Sequence, residues 1–167
     1  MTTRGGATDF ARLIEACESL GPYCLIGGLA VNCYVEPVYT LDADLVMIAS
    51  SLSKLSEYLQ EQGFKTEVHA RSLNALAPGS QLRIQFTTDE RYQAFLARSV
   101  EAEVLGTRVQ IACLEDVTRG KLWAYSDPRR RLSKRKKDEL DLIRLAEAHP
   151  ELRYLYPDEL QEQLDRG

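Results

Sequence analysis

The sequence predicts an α/β (α+β) fold, a small mixed β-sheet with flanking helices and a helical C-terminal half. Three observations lead there. Apolar runs of strand length, and one strictly alternating segment, fall before residue 112. From residue 113 onward apolar residues recur at helical spacing instead. A chain of 167 residues is also long enough for a real core within one domain. The expected organisation is a single domain over 1–167, with a sheet-containing part at about 8–112 and a helical part at about 113–167.

Taken in order, residues 8–19 place Phe10, Leu13, Ile14 and Cys17 on one helical stripe, with Thr8 as N-cap. Tyr23–Ile26 suits a short buried strand, and Leu29–Val35 a helix just after Gly27 and Gly28. Asp44–Ile48 is the next buried strand. Ser50–Gln62 carries Leu52, Leu55 and Leu59 at helical spacing and is closed by Gly63. Phe64–His69 reads as a strand, and Leu73–Ser80 as a loop around Pro78 and Gly79. Leu82, Ile84 and Phe86 alternate with Arg83 and Gln85, the pattern of a half-buried strand. Arg91–Val100 is expected to be helical, with Asp89 as an acid at its start, and Glu103–Ala112 a hairpin turning at Gly106 and Thr107. Leu114–Tyr125 is a helix broken before Pro128, and a last long helix runs through Leu140, Ile143 and Ala146 to Pro150.

Composition excludes several classes. No apolar run approaches the ~20 residues that span a bilayer; the longest is Tyr23–Val31, and the first residues lack a signal-peptide apolar region. A cytoplasmic protein without membrane contact is expected. The cysteines Cys17, Cys24, Cys33 and Cys113 never approach CxxC spacing, and three sit in apolar segments, as small core residues do in a reducing compartment. His69 and His149 lie far from any cysteine pair, so no zinc site is expected.

Charge is distributed unevenly. Residues 129–137, RRRLSKRKK, hold seven cations and no acid, so the remainder of the chain stands at −11 against −4 for the whole. Such asymmetry suits a localised polyanion, either a triphosphate or a nucleic acid; a solvated loop is the alternative. With Ser133 as cap, Lys134–Lys137 would fall in the first helical turn, where cations oppose the dipole by about 0.3–1 kcal/mol each. The i, i+4 pairs Lys134–Asp138 and Lys137–Asp141 run in the weaker orientation and return only about 0.2–0.5 kcal/mol. A bound anion would account for the cluster better than helix stability does. Trp123 and Tyr125 flank it, either to stack on a base or as core residues of their helix.

The most informative segment is Tyr23–Leu45. A strand runs into Gly27 and Gly28, where a ligand could approach bare backbone and a helix N-terminus would favour an anion; a plain tight turn has the same sequence. Asp42 and Asp44, at i and i+2 of an extended segment, point the same way at the mouth of a buried strand. Two like charges at ~4 Å repel by about 4 kcal/mol near a protein surface. A divalent cation relieves that cost, and Mg2+ (or Mn2+) is held in this manner by carboxylates together with substrate phosphates. Solvated loop aspartates are the other reading.

Together Gly27-Gly28-Leu29-Ala30 and Thr40-Leu41-Asp42-Ala43-Asp44-Leu45-Val46 resemble the polymerase-beta-like nucleotidyltransferase superfamily, in its minimal and abortive-infection-toxin-type branch. Gly120-Lys121, then Lys137-Asp138 with Asp141, is similar to that group's last motif. The resemblance spans roughly residues 10–150 and implies a small sheet of nucleotidyltransferase type. It further implies metal held by Asp42 and Asp44, and triphosphate held by Gly27, Gly28 and Thr40. Lys121, Lys134 and Lys137 would supply countercharge, and an acceptor hydroxyl or phosphate would attack the α-phosphorus. From the charge of the basic segment, Arg129, Arg130 and Arg131 are the residues expected to meet an RNA, DNA or protein acceptor, and a partner protein is a separate expectation. One departure stands out: such enzymes carry a third carboxylate on a neighbouring strand, where this sequence has Gln85. Glutamine brings no charge and no general base. Asp89 is a possible substitute. A nucleotide- or partner-binding regulator without chemistry is therefore the rival reading, and a nucleic-acid module using residues 129–137 alone is a third.

Overall fold

The computed structural model describes residues 3–167, with side chains from residue 5. Its centre is a seven-stranded mixed sheet built from β1 (Tyr23–Ile26), β2 (Asp42–Met47), β3 (Lys65–Val68), β4 (Ser72–Leu76), β5 (Arg83–Thr87), β6 (Val100–Val104) and β7 (Thr107–Ile111). The spatial order is β3-β4-β5-β2-β1-β7-β6, which places β2 in the middle. β2 runs antiparallel to β1 and parallel to β5, so both edges of its backbone are hydrogen-bonded. The helices are α1 (Thr3–Leu20), α2 (Gly27–Val31), α3 (Leu52–Glu61), α4 (Glu90–Ala97), α5 (Leu114–Tyr125), α6 (Leu132–Ala148) and α7 (Asp158–Arg166).

The period-two rule explains how β2 divides its side chains. Ala43, Leu45 and Met47 share one face and are fully buried. Asp42, Asp44 and Val46 share the other, where Val46 is buried but both aspartates are only half-buried. β5 repeats the division, with Ile84 and Phe86 inward and Arg83 and Gln85 exposed. The core joins these inward residues to Phe10 and Leu13 of α1 and Leu55 and Leu59 of α3. Burying each such Leu or Phe contributes about 1.5–3 kcal/mol. α5 and α6 pack on each other and reach α2. No helix among the described residues is long and apolar enough to cross a membrane.

Several expected boundaries move. α1 starts at Thr3, so Thr8 lies within the helix and does not cap it. α2 ends at Val31, short of Val35, because the Asn32 side chain exchanges two hydrogen bonds with the Val38 backbone and folds the chain away. Residues 73–80 are not all loop: Leu73 and Ala75 bury one face of β4, which pairs with both β3 and β5. The Pro78-Gly79 turn lies just beyond that strand. α4 stops at Ala97, and Val100 already belongs to a sheet strand. The β6–β7 hairpin turns at Leu105 (φ 50°) and Gly106 (φ 79°), one residue earlier than expected, since this tight turn needs two successive positive φ angles. α6 begins at Leu132 with Arg131 at its N-cap position and no side-chain cap, so Ser133 is already helical.

Candidate active site

β2 presents Asp42 and Asp44 on the open face of the sheet, at the floor of a cleft of about 1010 Å3. The cleft is bounded by Gly27 and Gly28, by β5 and β4, and by Lys121 on α5 and Lys134, Lys137 and Asp138 on α6. Register fixes the neighbours. Asp44 lies opposite Ile26 on β1 and Gln85 on β5, while Asp42 lies opposite Arg83. Gln85 therefore shares a sheet face with the aspartates, exposed to the cleft, and Asn74 of β4 continues the same row.

Gly27 is tied to Asp44 by shape. Its φ of +72° favours glycine, and a Cβ there would stand 2.5 Å from Asp44 Oδ2. Gly28 is roomier, with Thr40 Oγ1 at 3.8 Å from the equivalent position. Thr40 Oγ1 also accepts a hydrogen bond from the Asp42 N–H at 3.2 Å, fixing the entry into β2. The 32–41 segment carrying Thr40 is held by Asn32, by His149 Nε2 against the Tyr34 carbonyl at 2.9 Å, and by Arg144 on the Glu36 carbonyl. At five residues, α2 sums few peptide dipoles, so attraction for an anion there must come from backbone N–H groups and nearby cations.

Those cations are present, and most are already paired. Asp42 receives Arg83 Nε on Oδ1 at 2.8 Å and Lys134 Nζ on Oδ2 at 3.4 Å. Lys121, its side chain only 11% exposed, bridges Asp138 at 3.2 Å and Asp141 at 2.9 Å. Asp138 is fully enclosed and also accepts Arg130 Nε at 2.6 Å, while Asp141 accepts Arg144 at 2.9 Å. The expected Lys134–Asp138 and Lys137–Asp141 pairs do not form, because a buried carboxylate needs partners that reach it inside the fold. Lys121 and Arg130 supply them. Burial would lower the Lys121 pKa, but Asp141 and Asp138 hold it above the usual value.

Asp44 is the carboxylate of the cleft whose ionisation the fold opposes most. Burial pushes its pKa up to about 6, opposed by Lys121 and reinforced by Asp42. The pair fits a divalent ion: one or two carboxylates and room for phosphate oxygens are what Mg2+ takes from proteins. Among the described residues no cluster of three or more His, Cys, Asp or Glu is placed to ligate a metal. An ion at Asp42 and Asp44 would fill its remaining positions with water or phosphate oxygens. Asp89, the possible third acid, is instead the N-cap of α4, accepting the Arg91 N–H at 2.9 Å, and that bond holds its pKa below the usual carboxylate range.

The basic segment is split by the fold. Arg130 and Lys134 turn inward, Lys137 lines the cleft while staying exposed, and Arg129 and Arg131 face outward. Arg129 pairs with Asp127 and lines a side recess with Arg91, Tyr92 and Trp123. Trp123 stacks on Phe95 at 5.5 Å with Arg91 5.3 Å from its ring centroid, so it packs within the protein, the core alternative for that residue. The residue that sequence reasoning missed is Arg83. It reads as an ordinary outward position of an alternating strand, and only the β2–β5 register sets it against Asp42.

Against known proteins, no family model matches the chain, and no curated protein does. Solved structures do match in fold. The antibiotic-resistance factor ANT(2'')-Ia in solution superposes with a TM-score of 0.63 at 15% identity, covering 99% of this chain and 98% of that one. An antigenic nucleotidyltransferase-like protein from Paracoccidioides brasiliensis gives 0.63 at 20% identity over 99% and 88% of the two chains. A proposed nucleotidyltransferase from H. pylori gives 0.64 at 16% identity over 97% and 74%. The chain thus has a nucleotidyltransferase-like fold.

Proposed function

We propose that this protein is a metal-dependent nucleotidyltransferase, moving a nucleoside monophosphate from a nucleoside triphosphate to an acceptor with Mg2+ (or Mn2+). The observation that supports it most is the placement of Asp42 and Asp44 on the open sheet face, with Asp44 against the Gly27 turn and Lys121, Arg130, Lys134 and Lys137 lining the same cleft. A structure of ANT(2'')-Ia in complex with adenylyl-2''-tobramycin, matching at a TM-score of 0.59 and 16% identity, is a likeness in the same direction.

In this reading Gly27, Gly28 and Thr40 receive the β- and γ-phosphates through backbone N–H groups and a hydroxyl. Asp42 and Asp44 would hold the metal, whose chemistry when bound would be to neutralise phosphate charge. Lys134 exchanges Asp42 for a phosphate oxygen, and Lys137, already exposed, adds a second cation. Lys121 acts through Asp138 and Asp141, anchoring α6 so that Lys134 and Lys137 face the cleft. The test is Mg2+-dependent incorporation of α-labelled nucleotide into an acceptor. Activity is expected for the native chain and none for Asp42→Ala with Asp44→Ala; a folded protein that binds neither nucleotide nor metal rejects the reading.

Gln85, in register with Asp44, supports a second reading: a degenerate relative that binds nucleotide or a partner protein, as a toxin–antitoxin regulator would, without turnover. Tight nucleotide binding with no transfer from any of the common nucleotides, and activity appearing in Gln85→Asp, would favour it.

A further inference from the structure

On the reading of a nucleotidyltransferase, we infer that the acceptor is a phosphate monoester, already ionised when it binds and received by Arg83. A hydroxyl acceptor gains from a positioned base, and among the described residues the cleft offers no uncommitted one. Gln85 takes the position beside Asp44 where a carboxylate would serve, and an amide takes no proton. Asp89 is committed to capping α4 and to Arg91. Asp138 and Asp141 are locked onto Lys121, Arg130 and Arg144. Glu67 shares the open face, but its register through Asn74 and Gln85 sets it three strands from Asp44, about 14 Å at the usual strand spacing. No histidine or cysteine is among the described residues lining the cleft. A positioned base supplies about 10²–10⁴ in rate. An acceptor whose attacking oxygen carries its charge beforehand does not require it, and a phosphate monoester, with its second pKa near 6, is such an acceptor at neutral pH.

The same face offers the matching charge. Arg83 is 62% exposed in its side chain and engages Asp42 through Nε, and no described residue hydrogen-bonds its two terminal nitrogens. A guanidinium is always charged and suits phosphate oxygens in a paired geometry. It stands one register step from Gln85, on the side of the metal pair away from Gly27. There it would deliver an acceptor oxygen to the α-phosphorus.

The step balances without a proton. An acceptor phosphate oxygen forms a bond to the α-phosphorus, the bond from that phosphorus to the oxygen bridging to the β-phosphate breaks, and pyrophosphate leaves with the electron pair. The product is a phosphoanhydride between acceptor and nucleoside monophosphate.

The experiment incubates the full chain with Mg2+ and α-labelled nucleoside triphosphates. Acceptors are inorganic phosphate, glucose 1-phosphate, ribose 5-phosphate, glycerol 3-phosphate and a 5′-phosphorylated dinucleotide, each organic ester beside its dephosphorylated form. Labelling of at least one phosphorylated acceptor and of no dephosphorylated form is expected. Arg83→Gln is expected to raise the acceptor KM tenfold or more with the nucleotide KM within threefold, and Arg83→Lys to recover part of the loss. Calorimetry with the productive phosphate ester and no nucleotide should show saturable binding that Arg83→Gln weakens tenfold. Equal labelling of dephosphorylated acceptors overturns the inference while keeping nucleotidyl transfer. Nucleotide binding with no labelling of any acceptor overturns it in favour of the degenerate reading, and absence of nucleotide binding removes both.

Discussion

At Gly27 the backbone has a φ of +72°, and an added Cβ would meet Asp44 Oδ2 at 2.5 Å. Gly27→Ala therefore incurs strain of about 1–3 kcal/mol and displaces a site carboxylate. Denaturant titration should show that loss of stability, and Mg2+–nucleotide affinity should fall tenfold or more. Gly28→Ala, whose Cβ would meet Thr40 in ordinary contact, is expected to stay within about 0.5 kcal/mol of the native protein. Asp44 gives a pH dependence whose sign is set by burial. Its pKa is raised to about 6, above the carboxylate value of the unfolded chain, so the folded state retains the proton as pH rises and loses stability between about 4 and 6. Asp44→Asn removes that cost. Without metal, its melting temperature should exceed the native one at pH 8, and the advantage should shrink to about half at pH 5, midway through that window. An advantage of the same size at both pH values would contradict the assignment.

At the scale of elements, α5 and α6 are joined by a charge cluster rather than by apolar contact alone. Asp138 is enclosed between Lys121 and Arg130, and deleting one partner of a buried pair strands the others. Asp138→Ala is expected to destabilise the fold by about 3–5 kcal/mol in denaturant titration, well above a surface substitution. The elements differ in how far the sequence announces them. The alternation of Leu82–Phe86 and the leucine stripe of α3 are strong local signals, and both elements form where they point. β4 was hidden because the Pro78-Gly79 turn signal outweighed five residues of alternation next to it. α2 was over-extended because the Asn32 side chain competes with the helix for backbone bonds, which apolar content does not reveal.

At the scale of the molecule, the strand order puts β2 between β1 and β5, and the site is the open face of that triplet under α5 and α6. What was legible of the site lay in contiguous sequence: Gly27 and Gly28, then Asp42 and Asp44. Arg83, and the Asp138 links to Lys121 and Arg130, were not, because each arises where separate elements meet and pairing register or helix packing decides the neighbour. The central claim is that Asp42 and Asp44 hold a divalent ion together with nucleotide phosphates. The most direct measurement is a calorimetric titration of the folded chain with Mg2+ and a non-hydrolysable α,β-methylene nucleoside triphosphate, beside the double variant Asp42→Ala with Asp44→Ala. Saturable binding that needs both ion and nucleotide, weakened a hundredfold or more in the double variant while its circular dichroism is unchanged, is the predicted result. No saturable binding by the native chain, or equal binding by the double variant, would contradict it.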